Sequence, residues 1–134
     1  MNETALPILK ILLSDPRVDV NKVNNDERTP LIIASNNGKL EAVKMLLASG
    51  RKFDTEKKFY YSNGVTEFTA EEVARHFNYD PYKTVANLIR DFVKNPEEVK
   101  LKLRKELSLL LLFNFLSDFT ISRSILFSNF YYSS

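Results

Sequence analysis

Cysteine is missing from all 134 positions, and histidine occurs once, as His76. The first absence excludes disulfides, thiolate metal sites and a cysteine nucleophile. The second leaves no histidine cluster for a metal ion and no spare base for a Ser-His-Asp arrangement. Three glycines are too few for a phosphate-cradling loop. An excess of charge of one sign is lacking too. Nineteen basic against 17 acidic residues give a formal net charge of +2, which makes no whole-chain case for nucleic acid. The apolar run 107–116, LSLLLLFNFL, falls short of the roughly 20 residues that span a bilayer. The first residues have Glu3, no early base, and Lys10 inside a short apolar stretch, a poor signal peptide. The acid pairs Glu71-Glu72 and Glu97-Glu98 sit at predicted helix starts, where the helix dipole accounts for them without catalysis. No catalytic residue, metal ligand or cofactor is nominated, and no small-molecule substrate is indicated.

What is present is concentrated in residues 29–50, TPLIIASNNGKLEAVKMLLASG. Thr29 suits a helix N-cap, because its hydroxyl can accept a free backbone N–H. Pro30 follows at the first helical position, where its missing N–H costs nothing. Leu31 and Ala34 share a face, and the small Ala34 lets a neighbouring helix come close. Asn37-Gly38 stops that helix. Leu40, Val43, Leu46 and Leu47 then recur at helical spacing, and Gly50 ends the second helix. Two short helices joined by a tight turn form an antiparallel pair. Alone, such a pair cannot bury its apolar faces and must stack on others like it.

Thr29, Pro30, Leu31, Ala34, Gly38, Val43, Leu46, Leu47 and Gly50 resemble the pattern of an ankyrin repeat. Weaker copies flank it. In PILKILLSDPRVDVN at 7–21, Lys10, Leu12 and Leu13 match Lys44, Leu46 and Leu47 at a constant offset of 34, near the family's period. In 69–92, Thr69, Val73 and Ala74 match Thr29, Ile33 and Ala34, and Val85, Leu88 and Ile89 match Val43, Leu46 and Leu47. This last copy departs from the pattern: Ala70 replaces the Pro, Glu71 the Leu, and Asn78-Tyr79-Asp80-Pro81 lengthens the turn by two residues. In the middle copy Ile32 stands where the family usually has a His that ties neighbouring repeats. The resemblance implies an all-α fold: a small α-solenoid of stacked helix-turn-helix repeats with short hairpin loops, over residues 1–93. It also implies a non-catalytic protein–protein interaction module, an adaptor or scaffold, in the cytoplasm or nucleus.

The two ends raise separate questions. The first copy begins at its second helix, leaving Ile8, Ile11 and Leu12 without an upstream neighbour. About three repeats are needed for independent stability. The favoured reading is a piece of a longer array; the other is an open end that binds a protein. At the far end, Asn95-Pro96-Glu97-Glu98 combines a cap, a first-position Pro and acids at the positive dipole end. It predicts a long amphipathic and apolar helix over 95–119, packed on the last repeat. Its basic stretch KLKLRK keeps open an alternative, a membrane-associated adaptor using residues 99–116. Residues 120–134 form an irregular apolar tail without a clear period.

Partners of ankyrin arrays usually contact hairpin tips and the exposed side of the first helices. By that resemblance the candidate partner-binding residues are Asn25, Asp26, Arg28, Asn36 and Asn37, then Glu67, Phe68, His76 and Phe77. The insertion around 55–66 adds FYYSNGVTEF, where Asn63-Gly64 between aromatic and β-branched residues reads as a hairpin turn. Its rings fit either a surface packed on the repeat or a contact surface. The resemblance also marks Asn21 as a modification candidate. Some family members are hydroxylated on an Asn at this hairpin, and Leu13, Asp19 and Val20 stand where the modifying enzyme prefers such residues. The simpler reading is that Asn21 satisfies local backbone groups.

Overall fold

A computed structural model describes the backbone of residues 5–118 and the side chains of residues 6–108. In chain order the elements are α1 (Ala5–Ser14), α2 (Pro30–Asn36), α3 (Leu40–Ala48), β1 (Phe59–Tyr60), β2 (Glu67–Phe68), α4 (Ala70–Phe77), α5 (Tyr82–Lys94) and α6 (Pro96–Asp118). The predicted all-α solenoid is the fold observed. Within each repeat α2 packs on α3, and α4 on α5. Between repeats, first helix meets first helix, α2 on α4. Second helix meets second helix, α1 on α3 and α3 on α5. The α1–α3 contact identifies α1 as the second helix of a leading copy.

Local chemistry sets the helix ends. Thr29 is extended, and its hydroxyl accepts the Ile32 N–H at 3.2 Å. Thr69 makes a reciprocal box: its Oγ1 accepts the Glu72 N–H, while Glu72 Oε2 accepts the Thr69 N–H at 2.8 Å. At α6 the Asn95 Oδ1 accepts the Glu98 N–H at 3.4 Å, and its amide donates to Glu98 Oε2 at 2.8 Å. That helix begins at Pro96, as the sequence predicts.

The core is one apolar layer running through both complete pairs. Leu31, Ile32, Ala34, Val43, Leu46 and Leu47 are at most 1% exposed, and so are Val73, Ala74, Val85, Ala86 and Ile89. Ala34 and Ala74 occupy equivalent places, where small side chains let α2 and α4 pack closely. Ile32 is buried at 1% exposure, so packing stands where the family's usual His would bond. Burying a side chain of this size contributes about 1.5–3 kcal/mol.

The last pair differs in its turn. Two extra residues separate Thr69 from Val85 relative to Thr29 and Val43. One extends the helix, since α4 has eight residues and α2 seven. The other lengthens the connection. Asn78 takes the left-handed conformation at φ 50° in the C-cap, and the Asp80–Pro81 peptide is cis.

Residues Met1–Leu103 form one compact unit and Arg104–Ser134 another. In the first, Val99 and Leu103 of α6 are buried, while Leu101 is exposed. The part of the helix beyond 108, with its expected packing on the last repeat, and the expected tail at 120–134 lie outside the residues whose side chains are described.

Candidate functional site

The insertion folds as a β-hairpin. β1 and β2 pair antiparallel, Phe59 opposite Phe68 and Tyr60 opposite Glu67. Between them, Asn63 organises the loop: its Oδ1 accepts the N–H groups of Val65 and Thr66 at 3.0 and 2.9 Å, and its amide donates to Thr66 Oγ1. Gly64 follows at φ 68°. The Asn-Gly pair is therefore the loop tip, as expected, within a six-residue connection rather than a two-residue one.

Alternation in the short strands divides the aromatics. Phe59 turns inward and is 1% exposed, whereas Tyr60 is 56% exposed. Tyr61 then begins a continuous series of ring contacts. It lies edge-on to Phe68 with centroids 5.6 Å apart, and both rings contact His76, at 6.0 and 5.6 Å. His76 meets Phe77 at 5.8 Å. Phe77 lies 4.4 Å from Tyr82 and 6.3 Å from Tyr79, and those two tyrosines are 5.2 Å apart. The hairpin, the outer side of α4 and the α4–α5 turn thus share one aromatic ledge. His76 and Tyr79 are exposed; Tyr61, Phe68, Phe77 and Tyr82 are half-buried.

Gly38 sets the inner edge of this ledge. A Cβ built there would lie 2.9 Å from the Tyr82 ring, so only glycine lets that ring settle on the turn of the preceding repeat. Burial, with a smaller contribution from Tyr79, holds the Tyr82 hydroxyl above the usual phenol range.

The nominated partner-contact residues separate into two groups. Phe68, His76 and Phe77 belong to the ledge, whereas Glu67 pairs with Tyr60 on the other face of the hairpin and is exposed. Asn25 and Asp26 are exposed on the hairpin tip before α2. That tip is organised by Asn24, whose Oδ1 accepts the Asp26 and Arg28 N–H groups, each at 3.0 Å. Arg28 is half-buried, with its guanidinium carbon 4.9 Å from the Phe59 ring centroid. The Asn37 amide donates to the Ile33 carbonyl at 2.8 Å. Arg28 Nε and Asn36 Oδ1 are buried without a hydrogen-bond partner among the described residues. Arg28 and Asn36 are half-buried, whereas Asn37 is exposed.

Asn21 bridges two repeats. Its amide donates to the Lys52 carbonyl at 2.9 Å, and its Oδ1 accepts the Asp54 N–H at 2.8 Å. The simpler reading expects Asn21 to serve local backbone groups; its side chain instead serves the backbone of the next repeat, 31 and 33 residues ahead.

Tyr61, Tyr79, Tyr82 and Arg51 were not nominated from the sequence. The crowding of Phe77, Tyr79 and Tyr82 in one lengthened turn was a usable signal for three of the ledge rings. Arg51 had a fainter one, since it lies 34 residues after Arg17. Its guanidinium donates to the carbonyls of Leu13, Asp15 and Val18, closing the C-terminal end of α1. Arg17 instead pairs with Asp15 at 2.7 Å, and that hydrogen bond holds the Asp15 carboxyl below the usual carboxylate range.

One groove is distinct from the ledge. It has a volume of about 340 Å³ and is lined by Leu47, Phe53, Thr55, Phe92, Pro96 and Lys100 among others. Its Lys100 is tied to Glu97 at 2.8 Å.

The family described as "Ankyrin repeats (3 copies)" matches residues 1–95, and the chain belongs to that family. No curated protein and no solved structure matches it. Ankyrin repeats are generally protein–protein interaction modules and typically not enzymes.

Proposed function

We propose that this ankyrin-repeat chain is a non-catalytic adaptor that binds another protein through the aromatic ledge. One observation carries the reading: an unbroken series of ring contacts from Tyr61 to Tyr79, with His76 and Tyr79 open to solvent. Aromatic side chains are enriched at interfaces, where they offer large contact area at small conformational cost. The hairpin tip at Asn25 and Asp26 provides a second, polar edge.

Quantitative affinity capture tests this. The wild-type chain is compared with His76→Ala, Tyr79→Ala and the control Lys94→Ala. Proteins retained by wild type and control but lost from both ledge variants, at unchanged melting temperature, are the expected result. Equal recovery by all four chains would sink the reading.

The alternative is attachment to a membrane surface through residues 99–116. Its support is that Lys102, Arg104 and Lys105 are exposed. Among the described residues no helix is long and apolar enough to cross a membrane. Co-sedimentation with anionic vesicles, lost at high salt, distinguishes it from the ledge reading.

A further inference from the structure

We propose that Asn63 is a self-modification site: the backbone nitrogen of Gly64 attacks its side-chain amide, and the hairpin tip converts to aspartyl and isoaspartyl forms without an enzyme. The proposal does not depend on the ledge being a contact surface.

The chemistry needs an asparagine followed by a residue that does not shield its own nitrogen. Two asparagines precede glycine, Asn37 and Asn63. In the reaction the Gly64 nitrogen bonds to the Asn63 Cγ and a cyclic imide closes. The proton of that nitrogen and the side-chain amine leave together as ammonia. Water then opens either imide carbonyl. One product is aspartate; the other carries the chain through the former side chain, as isoaspartate. No oxidant or reductant takes part.

The structure separates the two sites. Both asparagines are exposed, but Gly64 is exposed and Gly38 is buried. Nothing lies within 4 Å of a Cβ built on Gly64, whereas one on Gly38 meets the Tyr82 ring. At Asn63 every bond that must open lies inside the loop. Its Oδ1 holds the Val65 and Thr66 N–H groups, its amide donates to Thr66 Oγ1, and the Gly64 N–H donates to the Tyr61 carbonyl at 2.8 Å. At Asn37 the amide must leave the Ile33 carbonyl, and the Gly38 N–H must leave that of Ser35. Beside it the Lys39 N–H closes α2 on the Ala34 carbonyl. Freeing Gly38 therefore disturbs Tyr82 and the α2–α3 turn together. Exposed loops open at small free-energy cost, whereas segments packed into the core open at a cost nearer that of unfolding. Asn63 is thus the site that reacts in the folded chain.

The two products differ in consequence. Aspartate keeps an acceptor for Val65 and Thr66 and loses only the donor to Thr66. Isoaspartate adds a backbone atom to the loop, which then no longer matches the Phe59–Phe68 and Tyr60–Glu67 register. The hairpin loosens, and with it the Tyr61 and Phe68 rings that meet His76.

The test is incubation of the full chain at neutral and mildly alkaline pH, folded and in guanidinium chloride, followed by peptide mapping with mass spectrometry. In the folded chain the Asn63 peptide should convert about tenfold or more faster than the Asn37 peptide. In denaturant the two rates should converge. Conversion should quicken with pH, since the attacking nitrogen must lose its proton. Asn63→Asp should keep the melting temperature and the slow amide exchange of Tyr61, whose N–H donates to the Thr66 carbonyl at 2.8 Å. The isoaspartyl chain, isolated by chromatography, should exchange faster there. Equal or faster conversion of Asn37 in the folded chain overturns the proposal, and so does a folded chain in which neither site converts while the denatured chain does. An undiminished difference in denaturant also overturns it, because local sequence and not the fold would then rank the sites. Native exchange at Tyr61 in the isoaspartyl chain overturns the assigned consequence.

Discussion

Helix pairs α2–α3 and α4–α5 begin alike. Each first helix follows a threonine whose hydroxyl takes an N–H of the first turn, and each buries an alanine, Ala34 or Ala74, at the same level. They diverge at the turn. In the middle pair Gly38 takes a positive φ of 62° and leaves room for Tyr82 from the next repeat. In the last pair Asn78 takes the same region at 50°, and the connection grows by one residue. The middle turn is covered, and the last turn carries Tyr79 outward. The turn that the next repeat covers spends its surface on stacking, whereas the α4–α5 turn holds Tyr79 exposed.

The largest effect should come from breaking the middle pair itself. Leu46→Pro removes a helix hydrogen bond and clashes with the preceding turn, at a cost of about 3 kcal/mol or more. Far-ultraviolet circular dichroism should show loss of helix; an unchanged spectrum and melting curve would contradict the assignment of α3. Arg51→Gln should come next. It withdraws charged donors from three carbonyls around the end of α1, and about 1.5–3 kcal/mol should be lost in chemical denaturation. Hydrogen exchange should rise first in α1.

Gly38→Ala and Asn78→Gly sharpen the contrast between the two turns. The alanine is strained at positive φ and meets the Tyr82 ring, so a loss of about 1–3 kcal/mol is expected. The glycine relieves a left-handed asparagine and should be neutral or slightly stabilising. Similar losses from both would show that the two turns are not used differently. Thr69→Ala should cost about 1 kcal/mol through loss of its capping box. Tyr79→Ala, at 57% exposure, should move stability by no more than about 0.5 kcal/mol. It is the substitution that separates contact from fold, since it should change capture without changing melting.

Much of the fold was legible because its signals are local. A capping hydroxyl, a first-position proline, a glycine stop and apolar residues at helical spacing act within a few residues of one another. Hence the bounds of α2, α3 and α6 follow closely from Thr29-Pro30, Asn37-Gly38, Gly50 and Asn95-Pro96. The candidate site was legible in part. Phe68, His76 and Phe77 were named from their places in the repeat and lie together in the ring series, whereas Arg28 is half-buried over the Phe59 ring. Repeat position names a face; it does not say which side chains on that face are already in use.

The sequence by itself determined a stack of capped helix pairs, the hairpin tip at Asn63-Gly64 and the lack of any cysteine. Only the tertiary structure decided that Arg51 closes α1, that Asn21 bridges two repeats and that Tyr82 rests on Gly38. It also decided that rings from β2, α4 and the following turn meet as one surface. The physical reason is range. Caps and periodicity depend on neighbours a turn or two away, whereas Arg51 reaches carbonyls 33 to 38 residues back and Asn21 reaches 31 to 33 ahead. Those partners are set by the register in which one repeat stacks on the next.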